Sequence, residues 1–455
     1  MPVQISYPYF ELEFDAKGKP SDAKQLPALL DGLKTNNTTD VFIISHGWNN
    51  DPKDAHALYQ NLFNNVKKQE QNVDVTGRSF AVAGIIWPSK KFDVADDQPN
   101  AASVGGSKGN TRVQAQVDTL REFLSSGPGA AKHTKDLNRA KALIPQLEKS
   151  ADARREFSTI LLARLPKTVG EEGGWHIDQS VAKSMVADDK LLTQLGSPPT
   201  KVATKGTGGA TSIGGKKNTA ASGQTFQGAA GLGDFFKGIV GGASNLLNYV
   251  LYYQMKDRAG VVGRAGVNTA LQAVRSKMPN VRIHLVGHSF GCRVVTAAAT
   301  GDASTPKGFI NSLSLLQGAF SHYSFANKYD DSNKPGFYRN LIGEGRVSGP
   351  VIITHTRADN AVGLAYAVAS RAAGQIAAAV GDKNDPFGGL GSNGAQKTTE
   401  AREGTLPKAG GKFDQPLAKG TVTNLLADGL IKNHSDVTNP NAAYAVLNAA
   451  IAAGV

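Results

Sequence analysis

The sequence predicts an α/β protein with a mostly parallel, doubly wound sheet of about eight strands. Most predicted strands are continuous apolar runs, as expected for strands buried on both faces of a parallel sheet. Helical patterns separate these runs along most of the chain. A third observation is local: a β-branched run at 281–286 leads into Gly-His-Ser-Phe-Gly at 287–291, and a small-residue helical pattern follows.

The amino-terminal part of the chain supplies three predicted strands. The elements are, in order, a strand at 4–14, a helix at 27–33, a strand at 40–45, a helix at 52–68 and a strand at 80–87. The first strand alternates and is rich in aromatic residues, whereas the second is apolar throughout. Pro88 ends the third strand.

Residues 91–234 are predicted to be an insertion into a core formed by residues 1–90 and 235–455. The insertion has helical patterns at 111–124 and 135–165. It then becomes rich in Gly, Ser, Thr and Lys, which is typical of a flexible loop. We expect the insertion to form a cap or lid over the site, and a surface excursion unrelated to catalysis is the alternative.

The carboxyl-terminal part continues the alternation of strands and helices. The predicted elements are helices at 235–255 and 261–278 separated by 256–260, strands from 281, at 309–317 and at 351–356, an Ala-rich helix at 361–380, a loop-like stretch at 381–420, a strand at 421–427 and a helix at 441–453. The connection 320–349 carries six aromatic residues: Phe320, Tyr323, Phe325, Tyr329, Phe337 and Tyr338. They would either wall an apolar pocket or pack a long loop, and the sequence favours neither.

Ser289 lies in the context that a nucleophile elbow requires, which is a strand, then G-x-S-x-G, then a helix. The sharp turn strains the serine backbone and lifts its hydroxyl clear of the sheet. Gly287 and Gly291 let the strand and the helix pass close together, and His288 and Phe290 complete the motif. The helix amino terminus stabilises developing negative charge. An ordinary strand–helix turn is the alternative.

A second motif, His46-Gly47-Trp48, follows the strand at 40–45. In acyl transfer, a backbone N–H after an early strand joins the N–H of the residue after the nucleophile to bind the oxyanion. Those two groups would be the N–H of Trp48 and the N–H of Phe290. Gly47 allows a sharp turn, and His46 can hold the loop. The alternative is a buried histidine in a tight turn.

A serine hydroxyl needs a base to accept its proton, and the base needs an acid to orient it. The best acid candidate is Asp359, three residues past the strand at 351–356, ahead of Asp302, Asp330 and Asp331. Asp359 could also cap the helix that follows.

The best base candidate is His434, which lies between the last strand and the last helix. The other histidines lie in strands, in motifs already assigned or ahead of the nucleophile. His322, in the aromatic connection, is the one serious rival.

Together these residues resemble the α/β-hydrolase fold superfamily of serine esterases and lipases. The resemblance covers roughly residues 41–87 and 235–455, and the stretch 255–293 also looks like bacterial hydrolases with no assigned substrate. It implies an α/β-hydrolase fold in which Ser289 is the nucleophile, Asp359 the acid and His434 the base, with an oxyanion hole at Trp48 and Phe290. The usual cap follows the strand after the nucleophile helix, whereas the larger insertion precedes the nucleophile here.

The function predicted from this catalytic triad is hydrolysis of carboxylic esters through an acyl-enzyme, by an esterase or a lipase. The aromatic connection and the large insertion favour a hydrophobic ester or lipid as the substrate. A phospholipase-type secreted effector and a non-catalytic α/β-hydrolase-like binding protein are the alternatives.

Composition and residue spacing give further expectations about partners, disulfides, cofactors and location. The net charge is +12, but the basic residues are scattered and predict no nucleic-acid partner. Cys292 is the single cysteine, so no intrachain disulfide is expected. No residue spacing predicts a metal site or another cofactor. We expect no membrane span and, without a signal peptide, a cytoplasmic location by default, with signal-independent secretion left open.

Overall fold

An eight-stranded sheet, in which every strand is parallel to its neighbours, organises the chain. The computed structural model describes residues 4–89, 107–125, 129–166, 179–197, 238–330, 332–359 and 388–454. The strands are β1 (Tyr9–Glu13), β2 (Asp40–Ser45), β3 (Phe80–Ile86), β4 (Arg282–His288), β5 (Ser312–Leu316), β6 (Val351–His355), β7 (Ala401–Thr405) and β8 (Val422–Leu426). The predicted α/β class and the parallel sheet of about eight strands are confirmed.

Helices connect these strands. They are α1 (Gln25–Thr35), α2 (Pro52–Gln69), α3 (Ser107–Phe123), α4 (Ala130–Leu143), α5 (Ala151–Leu162), α6 (Gln179–Ala187), α7 (Leu191–Leu195), α8 (Gly238–Val261), α9 (Asn268–Lys277), α10 (Phe290–Thr300), α11 (Arg339–Gly343), α12 (Leu390–Asn393) and α13 (Pro440–Ala452). The predicted helix at 361–380 lies outside the described residues.

The two faces of the sheet are covered by different helices. Val41 and Ile43 of β2 share one hydrophobic cluster with α1, α8, α9 and α10. Phe42 and Ile44 of the same strand point the other way and pack with α2 and α13. This alternation follows from the two-residue period of a strand. The unbroken apolar sequence of β2 therefore reflects burial on both faces.

The strand order β1-β3-β2-β4-β5-β6-β8-β7 places β2 between β3 and β4. From β2 the chain moves through α2 to β3 on one side, and from β4 it moves through α10 to β5 on the other side. Because α2 and α10 cover opposite faces, the connections after β2 and β4 diverge. Such a divergence at the carboxyl ends of parallel strands is where open α/β sheets bind ligands.

Of the described helices in the predicted insertion, α3, α5 and α7 pack against α8, whereas α4 packs on α3 and α5, and α6 packs on α5 and α7. Gln116 of α3 donates a hydrogen bond to Asn248 of α8 over 2.8 Å and accepts one from Ser244 over 2.8 Å. Asn245 donates to the Leu195 carbonyl of α7 over 2.9 Å. The apolar side chains of these helices belong to the same cluster as the core. The Gly/Ser/Thr-rich residues 198–233 lie outside the described part of the chain.

The predicted break at 256–260 is wrong, because α8 runs through these residues to Val261. The helical path continues through a π-helical segment, Val262–Val267, into α9. A Cβ at Gly260 would lie 3.0 Å from the guanidinium of Arg293, so glycine here serves close packing. Tertiary packing thus overrides the charged, glycine-containing sequence that suggested a break.

The loop-like stretch predicted at 381–420 is also corrected. Within its described residues it contains α12 and the edge strand β7. The β7 sequence, Ala-Arg-Glu-Gly-Thr, is polar and partly exposed, so hydrophobic periodicity could not reveal it. Hydrogen bonding to β8 along one side makes it a strand.

Asp40, at the amino end of β2, is the centre of a buried ionic cluster. Arg282 of β4 binds it with two hydrogen bonds of 2.8 and 2.9 Å, Arg78 donates over 2.7 Å, and His284 lies 2.9 Å away. Burial alone would raise the pKa of Asp40, but hydrogen bonds from His284, Arg282 and Thr39 outweigh it and hold that pKa well below its ordinary value. The cluster ties β2 to β4 at the end of the sheet opposite the predicted site.

Replacement of Asp40 should therefore destabilise the fold. We expect Asp40→Ala to lower the free energy of unfolding by about 3 kcal/mol, because it leaves four cationic or polar partners without this acceptor. Urea unfolding followed by circular dichroism measures the change. Asp31→Ala on the exposed face of α1 is the control and should stay within about 0.5 kcal/mol of the parent. Equal stability of the two variants would contradict this role.

Candidate active site

Ser289 lies in a strained turn between β4 and α10. Its backbone has φ +56° and ψ −123°, a conformation that a residue with a side chain rarely adopts. The strain is held by hydrogen bonds: the Ser289 N–H donates to Leu316 over 3.2 Å, and its carbonyl accepts from Ala319 over 3.2 Å and from Cys292 over 3.1 Å. The strained backbone that the sequence predicts at Ser289 is therefore present.

Three glycines let other backbone segments approach this turn. A Cβ at Gly47 would lie 2.6 Å from the Ser289 Cβ, and one at Gly287 would lie 2.5 Å from the Cys292 backbone. A Cβ at Gly291 would collide with the carbonyl of Ser45. Each of these positions excludes any larger residue, which is the steric requirement inferred from the sequence.

His434 and Asp359 lie together at the carboxyl edge of the sheet. Asp359 follows β6, and His434 follows β8, the strand beside it. The His434 Nδ1 is 3.0 Å from Asp359 Oδ1 and 2.9 Å from Oδ2. Both residues are buried. Because the carboxylate can only accept, Nδ1 carries the proton and Nε2 is left unprotonated in the neutral ring.

His288 connects the turn at Ser289 to the His434 loop. Its Nε2–H donates to the His434 carbonyl over 2.9 Å, and the two imidazole rings are 5.0 Å apart. Burial lowers the pKa of His288 to about 3, so the ring is neutral at physiological pH. Although both residues are described, no hydrogen bond joins the Ser289 hydroxyl to His434. Such contacts are often loose without substrate.

The loop after β2 is held by His46. Its Nδ1–H donates to the Gly47 carbonyl over 2.9 Å, and its Nε2 accepts from the Trp87 N–H over 3.3 Å. The ring stacks on Trp87 with a centroid distance of 5.5 Å. Burial lowers the pKa of His46 to about 4 and keeps it neutral in this bonding pattern.

The same loop sets the direction of the Trp48 N–H. Asn50 donates through Nδ2 to the Trp48 carbonyl over 2.9 Å and to the Gly47 carbonyl over 3.3 Å. Because His46 and Asn50 both hold the Gly47 carbonyl, the N–H of the same trans peptide, which belongs to Trp48, points the opposite way. Within the described ranges, neither this N–H nor that of Phe290 donates to another protein group.

Aromatic side chains flank the site on the α8 side. The Trp48 ring is 5.9 Å from Phe290 and 6.2 Å from Tyr252, and the Tyr252 ring is 4.9 Å from Phe290. In the aromatic connection at 320–349, by contrast, Phe320, Phe325 and Tyr338 are buried against one another. The Phe320 ring is 6.1 Å from the Phe325 ring and 5.8 Å from the Tyr338 ring. For those three residues the loop-packing alternative is correct.

The structure gives the rival residues other partners. His322 is buried against Tyr323, and its Nδ1 is 3.1 Å from the Asn393 amide. Asp302 accepts hydrogen bonds from Ser304 in the exposed turn after α10. Asp331 lies outside the described residues, and Asp330 holds a surface turn.

Gln317, directly after β5, is a site residue that sequence reasoning missed. Its side-chain amide donates to Asp359 over 3.0 Å. The one available signal was its position, a polar residue at the carboxyl end of the strand next to β4. Asn50 was missed for a similar reason, since its contacts depend on the shape of the loop.

The described residues contain no group of three or more His, Cys, Asp or Glu side chains arranged to hold a metal ion. None of the described helices combines the length and the apolar character that a membrane crossing needs. In comparisons with known proteins, no family model, curated protein or solved structure matched the chain significantly.

The buried histidines predict a pH-dependent stability. Because folding lowers the pKa values of His46 and His288 from an ordinary 6.5, the unfolded chain binds protons that the folded chain does not. The free energy of unfolding should therefore fall as the pH drops below about 6.5, by about 1.4 kcal/mol per pH unit for each histidine.

His288→Gln tests this, because its amide can still donate to the His434 carbonyl while losing the titrating ring. Between pH 6 and 5 the slope of unfolding free energy against pH should decrease by about 1 kcal/mol per unit, measured by urea unfolding. An unchanged slope would contradict the assignment.

Proposed function

We propose that the chain is a serine hydrolase with an α/β-hydrolase fold that cleaves carboxylic esters. The observation that carries the proposal is the hydrogen-bonded pair of His434 and Asp359 beside the strained turn of Ser289. The three residues follow β4, β6 and β8 in the order serine, aspartate, histidine. The divergence of connections around β2 and β4 supports a binding crevice at the same edge.

The reaction would begin when His434 Nε2 takes the Ser289 proton as the hydroxyl oxygen attacks the ester carbonyl. The Trp48 and Phe290 N–H groups would donate to the oxyanion that forms. The imidazolium would then return the proton to the departing alcohol, which leaves an acyl-serine. Water, deprotonated by His434, would then attack this ester. As the second oxyanion collapses, the imidazolium would return the proton to the Ser289 oxygen, which frees Ser289 and releases the carboxylic acid.

The hydrogen bonds around Gly47 are central to this scheme. They orient the Trp48 N–H before substrate binds, so that little reorganisation is needed when charge develops on the carbonyl oxygen. The helix amino terminus at Phe290 adds a favourable field. Asp359 would stabilise the imidazolium and keep the proton on Nδ1.

The substrate we propose is a hydrophobic ester or a lipid. The aromatic rings of Trp48, Tyr252 and Phe290 beside Ser289 favour an apolar acyl group. We propose that the insertion acts as a cap. Helices α3 and α7 pack on α8, which carries Tyr252, so the insertion would shape the acyl site through that helix.

Loss of the nucleophile is the direct test. We expect Ser289→Ala to lower kcat for p-nitrophenyl ester hydrolysis by at least about 1,000-fold, because the acyl-enzyme can no longer form. Ser304→Ala is the matched control, since Ser304 lies in an exposed turn and bonds only Asp302. Equal turnover by parent and Ser289→Ala would defeat the proposal.

The same pair of variants separates an enzyme from a binding protein. A fluorophosphonate should label the parent and Ser304→Ala but not Ser289→Ala. A folded parent that takes no label would favour the non-catalytic alternative.

Acyl length supplies a further prediction. Burial of each additional methylene among the aromatic side chains contributes about 0.8 kcal/mol, so kcat/KM should rise by up to about fourfold per methylene until the acyl site is filled. A series of p-nitrophenyl esters from acetyl to palmitoyl, measured with and without a lipid interface, tests this. A profile that falls from acetyl onward would contradict a hydrophobic acyl site.

A further inference from the structure

Gln317 has an unusual backbone for its residue type. Its φ is +49°, in the left-handed region that favours glycine, yet it carries a long side chain that is completely buried. The residue directly follows β5, whose carboxyl end lies between those of β4 and β6. Strain at a non-glycine residue beside a candidate site indicates that its side chain is needed there.

The side-chain amide has a complete set of partners. Its Nε2 donates to Asp359 Oδ2 over 3.0 Å and to the Gly391 carbonyl over 3.1 Å. Its Oε1 accepts from the Thr354 hydroxyl over 3.0 Å, and that hydroxyl accepts in turn from the Gln317 N–H over 3.2 Å. A reversed amide would turn its oxygen toward a carboxylate and a carbonyl, so the partners determine its orientation.

Gly391 packs directly against the contact between Gln317 and Asp359. A Cβ at Gly391 would lie 2.8 Å from Asp359 Oδ2 and 2.8 Å from the Gln317 backbone. The Gly391 N–H donates to Gly318 over 2.9 Å, and its carbonyl accepts from the Thr356 N–H over 3.0 Å. The segment at Gly391 thus joins the connections after β5 and β6 and covers the Asp359 carboxylate.

We propose that Gln317 positions the Asp359 carboxylate for His434. Nδ1 of His434 is almost equidistant from the two carboxylate oxygens, so the imidazole alone does not select a rotation of the carboxylate. Gln317 donates to Oδ2 as a neutral partner, which orients the carboxylate and stabilises its negative charge. The inference rests on the proposed hydrolase function for its kinetic consequence alone.

Gln317→Leu removes the donor at nearly constant size. We expect kcat for ester hydrolysis to fall about 10- to 100-fold with little change in KM, because a hydrogen bond to a charged partner is lost in the transition state. Gln396→Leu is the matched control: it removes a glutamine from the same region whose amide binds only the Asn393 carbonyl, and its kcat should stay at the parent value. An unchanged kcat for Gln317→Leu would overturn the proposal.

Gln317→Glu gives a readout that a merely structural role would not produce. A protonated glutamic acid can donate to Asp359 as the amide does, whereas an ionised one repels the carboxylate. The ratio of kcat/KM for Gln317→Glu to that of the parent should therefore fall at least about 10-fold between pH 5.5 and 8.5. A constant ratio would contradict a donor role.

The His434 Nδ1–H provides a test that does not depend on turnover. Its downfield proton NMR signal should be present in the parent and Gln396→Leu and shifted or lost in Gln317→Leu. If the parent has this signal but no Ser289-dependent esterase activity, the proposed function fails while the positioning role stands. If the signal is the same in all three proteins, the positioning role fails whatever the activity.

Discussion

The close approach of backbone segments around Ser289 is the constraint on which the candidate site depends. The loop after β2, the end of β4 and the start of α10 meet with no room for a Cβ at Gly47, Gly287 or Gly291. Trp48 directly follows Gly47 and Phe290 directly follows Ser289, so this approach brings both residues to the same turn. It also leaves Ser289 in a backbone conformation with positive φ, which the surrounding hydrogen bonds hold in place.

The two ends of the sheet serve different purposes. At the amino ends, Asp40 of β2 is surrounded by Arg78, Arg282 and His284. These ion pairs join β2 to β4, two strands that are neighbours in the sheet but distant in the chain. At the carboxyl ends, His46 and His288 are neutral and hold the loops of the candidate site through hydrogen bonds to backbone carbonyls. Charge is thus neutralised by pairing at one end, whereas burial keeps the imidazoles uncharged at the other.

Local patterns made much of this structure predictable. The strands β2, β3 and β4 are continuous apolar runs, and the turn at Ser289 is encoded within a few consecutive residues. Asp359 and His434 were singled out because they follow predicted strands, and the structure places them within hydrogen-bonding distance. Their catalytic roles remain the proposal made above.

The features that the sequence did not reveal depend on residues distant in the chain. Strand β7 exists through pairing with β8, because its own residues are polar and partly exposed. Helix α8 passes through a charged, glycine-containing stretch because its neighbours bury that stretch. Gln317 gains its partners from β6 and from the segment at Gly391, which no local pattern brings together.

The single thiol of the chain belongs to Cys292, in the first turn of α10 and three residues after Ser289. Cys292 is buried, burial raises its pKa, and its Sγ donates to the Gly287 carbonyl over 3.0 Å. A reagent can therefore reach this sulfur only when the junction of β4 and α10 opens. The rate at which a thiol reagent modifies Cys292 therefore reports how often the junction of β4 and α10 opens, and the measurement needs no substrate.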